Sequence, residues 1–135
     1  MKLVNKHLGI PLIVLLLGCT NNHGNPAPAE APCTSAGQDT ISFQKDILPV
    51  FATSCATSGC HSGSTPSGNL NLESTKAYAQ LAKKGSGYLI PSNPTASVLY
   101  SQLVSVSQPM PPAGKLSSCN IQLIENWISQ GAKNN

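Results

Sequence analysis

The chain of 135 residues contains no arginine. Its basic charge rests on eight lysines scattered from Lys2 to Lys133. Such a pattern offers no clustered guanidinium face for bidentate contacts, so nucleic acid is excluded as a partner. Aromatic residues are also scarce: from Thr40 onward there are Phe43, Phe51, Tyr78, Tyr88, Tyr100 and Trp127. A domain this small buries a limited fraction of its surface, and side chains alone give it a thin core. Also absent are a Ser-His-Asp set and a phosphate-binding glycine loop, so nothing marks a substrate-transforming enzyme. No apolar run is long enough to span a bilayer; the longest, Leu8 to Leu17, is interrupted by Pro11.

That run follows Lys2 and Lys6 and reads as the h-region of a signal peptide. It ends in Leu16-Leu17-Gly18-Cys19, which has the form of a bacterial lipobox: residues 1–18 are expected to be removed and the Cys19 thiol to carry lipid. The alternative is an ordinary signal cut further along, with Cys19 discarded. Either way the chain is exported, and the compartment is oxidising. The expected location is the cell envelope, on a periplasmic or outer-membrane face, with the membrane contacted through the lipid. Residues 19–39 are rich in Asn, Gly, Pro, Ala and Ser and read as a flexible tether, in which His23 is solvated.

Residues 40–135 read as one folded domain. Phe43, Ile47, Val50 and Phe51 recur at helical spacing and lead directly into Cys55. Pro49 allows two versions of this helix. With Asp46 as N-cap, Pro49 falls in the first turn, where amide donors have no partner; with Ser42 as N-cap, it kinks the helix. Leu70 and Leu72 form a short extended piece. Ser74 is expected to cap a helix carrying Tyr78 and Leu81 and ending at Lys83, Lys84 and Gly85. Asn93 and Pro94 read as N-cap and N1 of a further helix with Val98, Leu99 and Leu103 on its inner side as ordinary core. A last helix begins near Ser117 or Ser118 and stops at Gly131, burying Ile121, Ile124, Trp127 and Ile128.

The chemistry centres on Cys55-Ala56-Thr57-Ser58-Gly59-Cys60-His61. A thiol S–H adds across a haem vinyl group, sulfur bonding to one carbon and hydrogen to the other, and an adjacent His then serves as proximal ligand to the iron; C-x-x-C-H is read this way. Here four small residues separate the cysteines instead of two, and they are expected to loop outward. Two other readings stand beside this one: a tight Cys55–Cys60 disulfide with His61 on the surface, and part of a zinc site. Only His23 and distant cysteines are left to complete the latter.

Gln108-Pro109-Met110-Pro111-Pro112 is the second such stretch. Three prolines stiffen the loop and remove backbone donors, presenting Met110 with little conformational freedom. A thioether suits the sixth position of haem iron. Met1 leaves with the signal, so Met110 is the only thioether of the mature chain; its alternative role is a core filler or exposed loop residue. With Cys19, Cys55 and Cys60 accounted for, Cys33 and Cys119 remain. In an oxidising space they are expected to bridge, closing a loop for roughly 4–5 kcal/mol in the chain-entropy model; the alternative is two unpaired thiols.

Phe-x-x-Asp-Ile-Leu-Pro-Val from Phe43 to Val50, the Cys-Cys-His element, Ser97-Val98-Leu99-Tyr100, Met110-Pro111-Pro112 and Ile124-x-x-Trp127-Ile128-x-x-Gly131-Ala132 occur in order along one chain. Together they resemble the small lipoprotein cytochromes c of Bacteroidota and their planctomycete-type relatives, over about Thr40 to Asn135. The resemblance implies an all-α, cytochrome c-like fold of about four short helices around one covalent haem c. It also implies His61 as proximal and Met110 as distal ligand, and service as a one-electron carrier for redox partner proteins of the envelope. The spacing of four departs from the family's usual two. The Pro91 carbonyl is expected, from position, to accept the second ring nitrogen of His61. Two rivals are carried forward: a haem-based sensor in which Met110 is displaceable, and a haem-free scaffold stapled by Cys55–Cys60 and Cys33–Cys119.

Overall fold

The computed structural model describes residues 40–135. The expected signal peptide, Cys19, the tether with His23, and Cys33 lie outside the described residues. Within them there are four α-helices and no strand, so the fold is all-α as expected.

The chain enters at Ser42, whose hydroxyl accepts the Lys45 amide (3.3 Å) while its own amide donates to Asp46 Oδ2 (2.8 Å). This is a reciprocal cap in the manner of a capping box. The turn that follows, Phe43–Ile47, is π-wound: the Leu48 amide reaches back five residues to the Phe43 carbonyl. Helix α1, Leu48–Ser54, then carries Pro49 in its first turn. Of the two versions, the Asp46 cap does not form: α1 has Ile47 at its N-cap with no side-chain hydrogen bond. Ser42 caps, and the wider turn restarts the ladder just before Pro49, where a missing N–H costs nothing.

Helix α2 is Ala77–Leu81, α3 is Val98–Val104 and α4 is Ser118–Ser129. Two expected caps are corrected. Ser74 does not cap α2; the Glu73 carbonyl accepts the Lys76 and Ala77 amides (both 2.8 Å), and this turn delays the helix to Ala77. Asn93 caps only a turn, its Oδ1 accepting the Ala96 amide (3.2 Å), while α3 starts after Ser97. The reason is Ser97, fully buried: its hydroxyl accepts the Ile90 amide (2.9 Å) and donates to the Asn93 carbonyl (2.9 Å), competing locally with continued helix.

The core is built where the two ends of the domain meet. The Phe43 ring lies 5.2 Å from those of Trp127 and Tyr78, and 6.3 Å from Phe51, the last two edge-on. Trp127 Nε1–H donates to the Lys133 carbonyl (3.0 Å) and the Tyr78 hydroxyl to that of Ala132 (3.0 Å), so both polar atoms are satisfied. The ends are also clasped by backbone: the Gln44 amide donates to the Asn135 carbonyl (3.0 Å) and the Phe43 amide to Asn135 Oδ1 (2.9 Å). Trp127→Ala is expected to cost roughly 3–5 kcal/mol, read as a lowered urea midpoint at an unchanged slope.

Candidate functional site

Cys55 closes α1, its amide donating to the Phe51 carbonyl (2.8 Å). In C-x-x-C-H the His follows the first Cys by four residues, the reach of one helical hydrogen bond. Here it follows by six, yet the His61 amide still donates to the Cys55 carbonyl (3.0 Å). The extra length goes outward, leaving Thr57, Ser58 and Gly59 exposed. A turn from Thr57 to Cys60 (3.0 Å) closes the bulge, and it needs Gly59 at a φ of +80°. Two hydroxyls hold it: Ser62 Oγ donates to the Thr57 carbonyl (2.8 Å) and Ser67 Oγ to that of Gly59 (3.3 Å). Sequence reasoning missed both, since a serine in a Ser/Gly-rich loop carries no mark of its partner.

His61 Nδ1 sits 3.1 Å from the Ser67 carbonyl and 3.2 Å from that of Leu70. Carbonyls only accept, so Nδ1 carries the proton and Nε2 keeps the lone pair that a metal requires. The expected acceptor, the Pro91 carbonyl, is corrected. Gly68 and Asn69, at φ of 62° and 55°, turn the chain back beneath the ring, so the acceptors come from the loop just after the histidine. The same segment is tied by Leu72, whose amide donates to the His61 carbonyl (2.8 Å), and by Glu73 Oε1, which accepts the Gly63 amide (3.1 Å).

The hydrogen bond from Lys76 (2.7 Å), followed by those from Gly63 and Asn71, holds the Glu73 carboxyl below the usual glutamate range. A depressed folded value stabilises above the unfolded one, near 4.3, and the stabilisation is lost as pH falls through the folded value. Glu73→Gln should therefore unfold at lower urea than the parent at pH 7. The two midpoints should converge in acid, once both side chains are neutral.

Cys55, Cys60, His61 and Met110 all line one cavity of about 390 Å³. Leu70, Leu72 and Leu81 form part of its wall, and Val98, Leu99 and Leu103 of α3 another part; among the described residues no Lys, Asp or Glu side chain lines it. Of the α3 residues expected as core, Leu103 is buried in it and Leu99 packs against it, whereas Val98 is 38% exposed; all three also line the cavity. An apolar stripe looks the same in sequence whether protein or ligand covers it. Met110 is positioned by its amide, which donates to the Gln102 carbonyl of α3 (3.0 Å). Both cysteines are free thiols. Burial, and then the neighbouring Cys60, push the Cys55 thiol up to about 11, so it is protonated at neutral pH. Among the described residues no three His, Cys, Asp or Glu side chains converge as a metal-ligand set. Cys119 lies half-buried in the first turn of α4; its expected partner, Cys33, is outside the described residues.

Residues 58–114 match a family model described as planctomycete cytochrome C. The matched stretch is similar to planctomycete-type cytochrome c domains. The match opens inside the bulge, takes in Cys60, His61 and Met110, and leaves Cys55 three residues upstream. No curated protein and no solved structure matches the chain. A cytochrome c implies covalent haem c, and the cleft fits it: a thiol pair, an imidazole held in one tautomer and a thioether share an uncharged, largely apolar cavity. Cys55 and Cys60 would hold such a haem, with His61 and Met110 as the residues available to its iron.

Proposed function

We propose that the chain is a monohaem c-type cytochrome lipoprotein, anchored through Cys19, that carries single electrons between partner proteins of the cell envelope. The convergence of Cys55, Cys60, His61 and Met110 on one apolar cleft supports this reading above all. Haem c supplies a one-electron Fe(II)/Fe(III) couple when bound. The protein's own residues then set its character. Cys55 and Cys60 would fix the group through two thioethers, the Nδ1-protonated His61 would present Nε2 as a lone-pair donor, and the soft Met110 thioether would favour the reduced state and raise the potential. The uncharged wall acts in the same direction, because it disfavours the extra positive charge of the oxidised state.

With His61 and Met110 both holding the iron, no coordination site would be left for oxygen or peroxide, and the role would be that of a carrier and not an enzyme. The Cys33–Cys119 bridge would pin α4 to the segment entering the domain. Potentiometric titration of protein made with a cytochrome-maturation host tests the proposal. A single reversible one-electron wave is expected, with no carbon monoxide binding by the reduced protein at neutral pH. A two-electron wave, or turnover of peroxide, would refute the carrier role.

A further inference from the structure

The cleft has two walls that come from separate stretches of chain. One is the bulge, His61 and the turn Ser67–Leu70. The other is α3 with the Met110 loop, and Gly87 and Tyr88 are bound to it by backbone: the Val98 amide donates to the Gly87 carbonyl and the Leu99 amide to that of Tyr88 (both 3.0 Å). Tyr88 crosses between the walls. Its ring lines the cavity and its hydroxyl donates to the Gly68 carbonyl (3.3 Å), in the middle of the turn whose flanking carbonyls receive His61 Nδ1. The turn depends on left-handed backbone at Gly68, where an added Cβ would meet nothing within 4 Å. A substitution there therefore bears first on backbone conformation.

Resting on the haem reading above, we infer that Tyr88 is a positioning residue: by latching the Ser67–Leu70 turn it holds two carbonyls on His61 Nδ1 and so sets the basicity of the ligating nitrogen. A carbonyl accepting from Nδ1–H makes the imidazole a stronger donor, which stabilises ferric over ferrous iron and lowers the potential. Loosening the latch acts in the opposite direction.

The test compares haem-loaded Tyr88→Phe, Gly68→Val and Gly68→Asn by midpoint potential and, with each combined with Met110→Ala to open the sixth position of the reduced iron, by the iron–histidine stretching frequency in resonance Raman spectra. Tyr88→Phe keeps the ring in the wall and removes only the hydroxyl. It should raise the potential and lower the frequency. Gly68→Val should do both more strongly, weakening ferric preference by up to about tenfold, or ~59 mV for one electron. Asn tolerates the left-handed region, so Gly68→Asn should stay at the parental values. Loaded Tyr88→Phe and Gly68→Val proteins with parental potential and frequency would overturn the inference, even if they melt earlier, since a purely structural latch lowers stability alone. If Gly68→Val yields no holoprotein, Tyr88→Phe decides. A parent that takes up no haem refutes the underlying reading and this inference together; a loaded parent with unmoved variants refutes only the inference.

Discussion

Replacement of Cys55 and Cys60 together by serine is expected to give a colourless protein that has lost its cooperative melt. Phe51, Tyr78 and Trp127 pack on Phe43, and Leu70, Leu72, Leu81 and Leu103 of the same buried core, with Leu99 packed against it, also line the cleft. A covalent haem seated in this cleft of about 390 Å³ would cover the apolar side chains that line it and form a large part of the core, so without attachment thermal unfolding followed by circular dichroism should turn from a sigmoid into a gradual slope. A cooperative transition in the double variant at the parental temperature would show that the side chains suffice.

The second large effect is expected at Met110. Met110→Ala keeps the backbone bond from residue 110 to the Gln102 carbonyl, so the loop stays tied to α3 and only the thioether is lost. Reduced Met110→Ala should bind carbon monoxide stoichiometrically at neutral pH, where the parent binds none. Its potential should fall by at least ~59 mV, equivalent to about a tenfold loss of ferrous preference. Met110 is 37% exposed, so its side chain lies near the rim of the cleft, and this experiment separates the carrier from a sensor with a displaceable ligand. A sensor would bind carbon monoxide in the parent as readily as in the variant.

The parts of the site that could be read from sequence are those written locally. Two thiols next to an imidazole, a lone thioether among prolines and the apolar stripe Ile124, Trp127, Ile128 each signal their chemistry within a few residues. Contacts made by backbone carbonyls were hidden, because every residue has one and none is marked. Hence position in sequence points to the Pro91 carbonyl as acceptor for His61, whereas the acceptors are Ser67 and Leu70, where left-handed backbone at Gly68 and Asn69 redirects the chain. Caps failed at Ser74 and Asn93 for a related reason: each belongs to a turn that precedes its helix, and a neighbour, the Glu73 carbonyl or the Ser97 hydroxyl, takes the competing bonds. The bulge is intermediate. Its outward course followed from four small residues, but its fastening by Ser62 and Ser67 depends on geometry that only the fold supplies.

Attachment itself is tested most directly by intact mass and a pyridine haemochrome spectrum on the same sample, made with a cytochrome-maturation host and washed with acid acetone. A mass increased by one haem, a c-type spectrum of one haem per chain, and colour that stays with the protein through the wash are expected. A chain at its unmodified mass, or pigment that leaves with the solvent, would contradict covalent attachment.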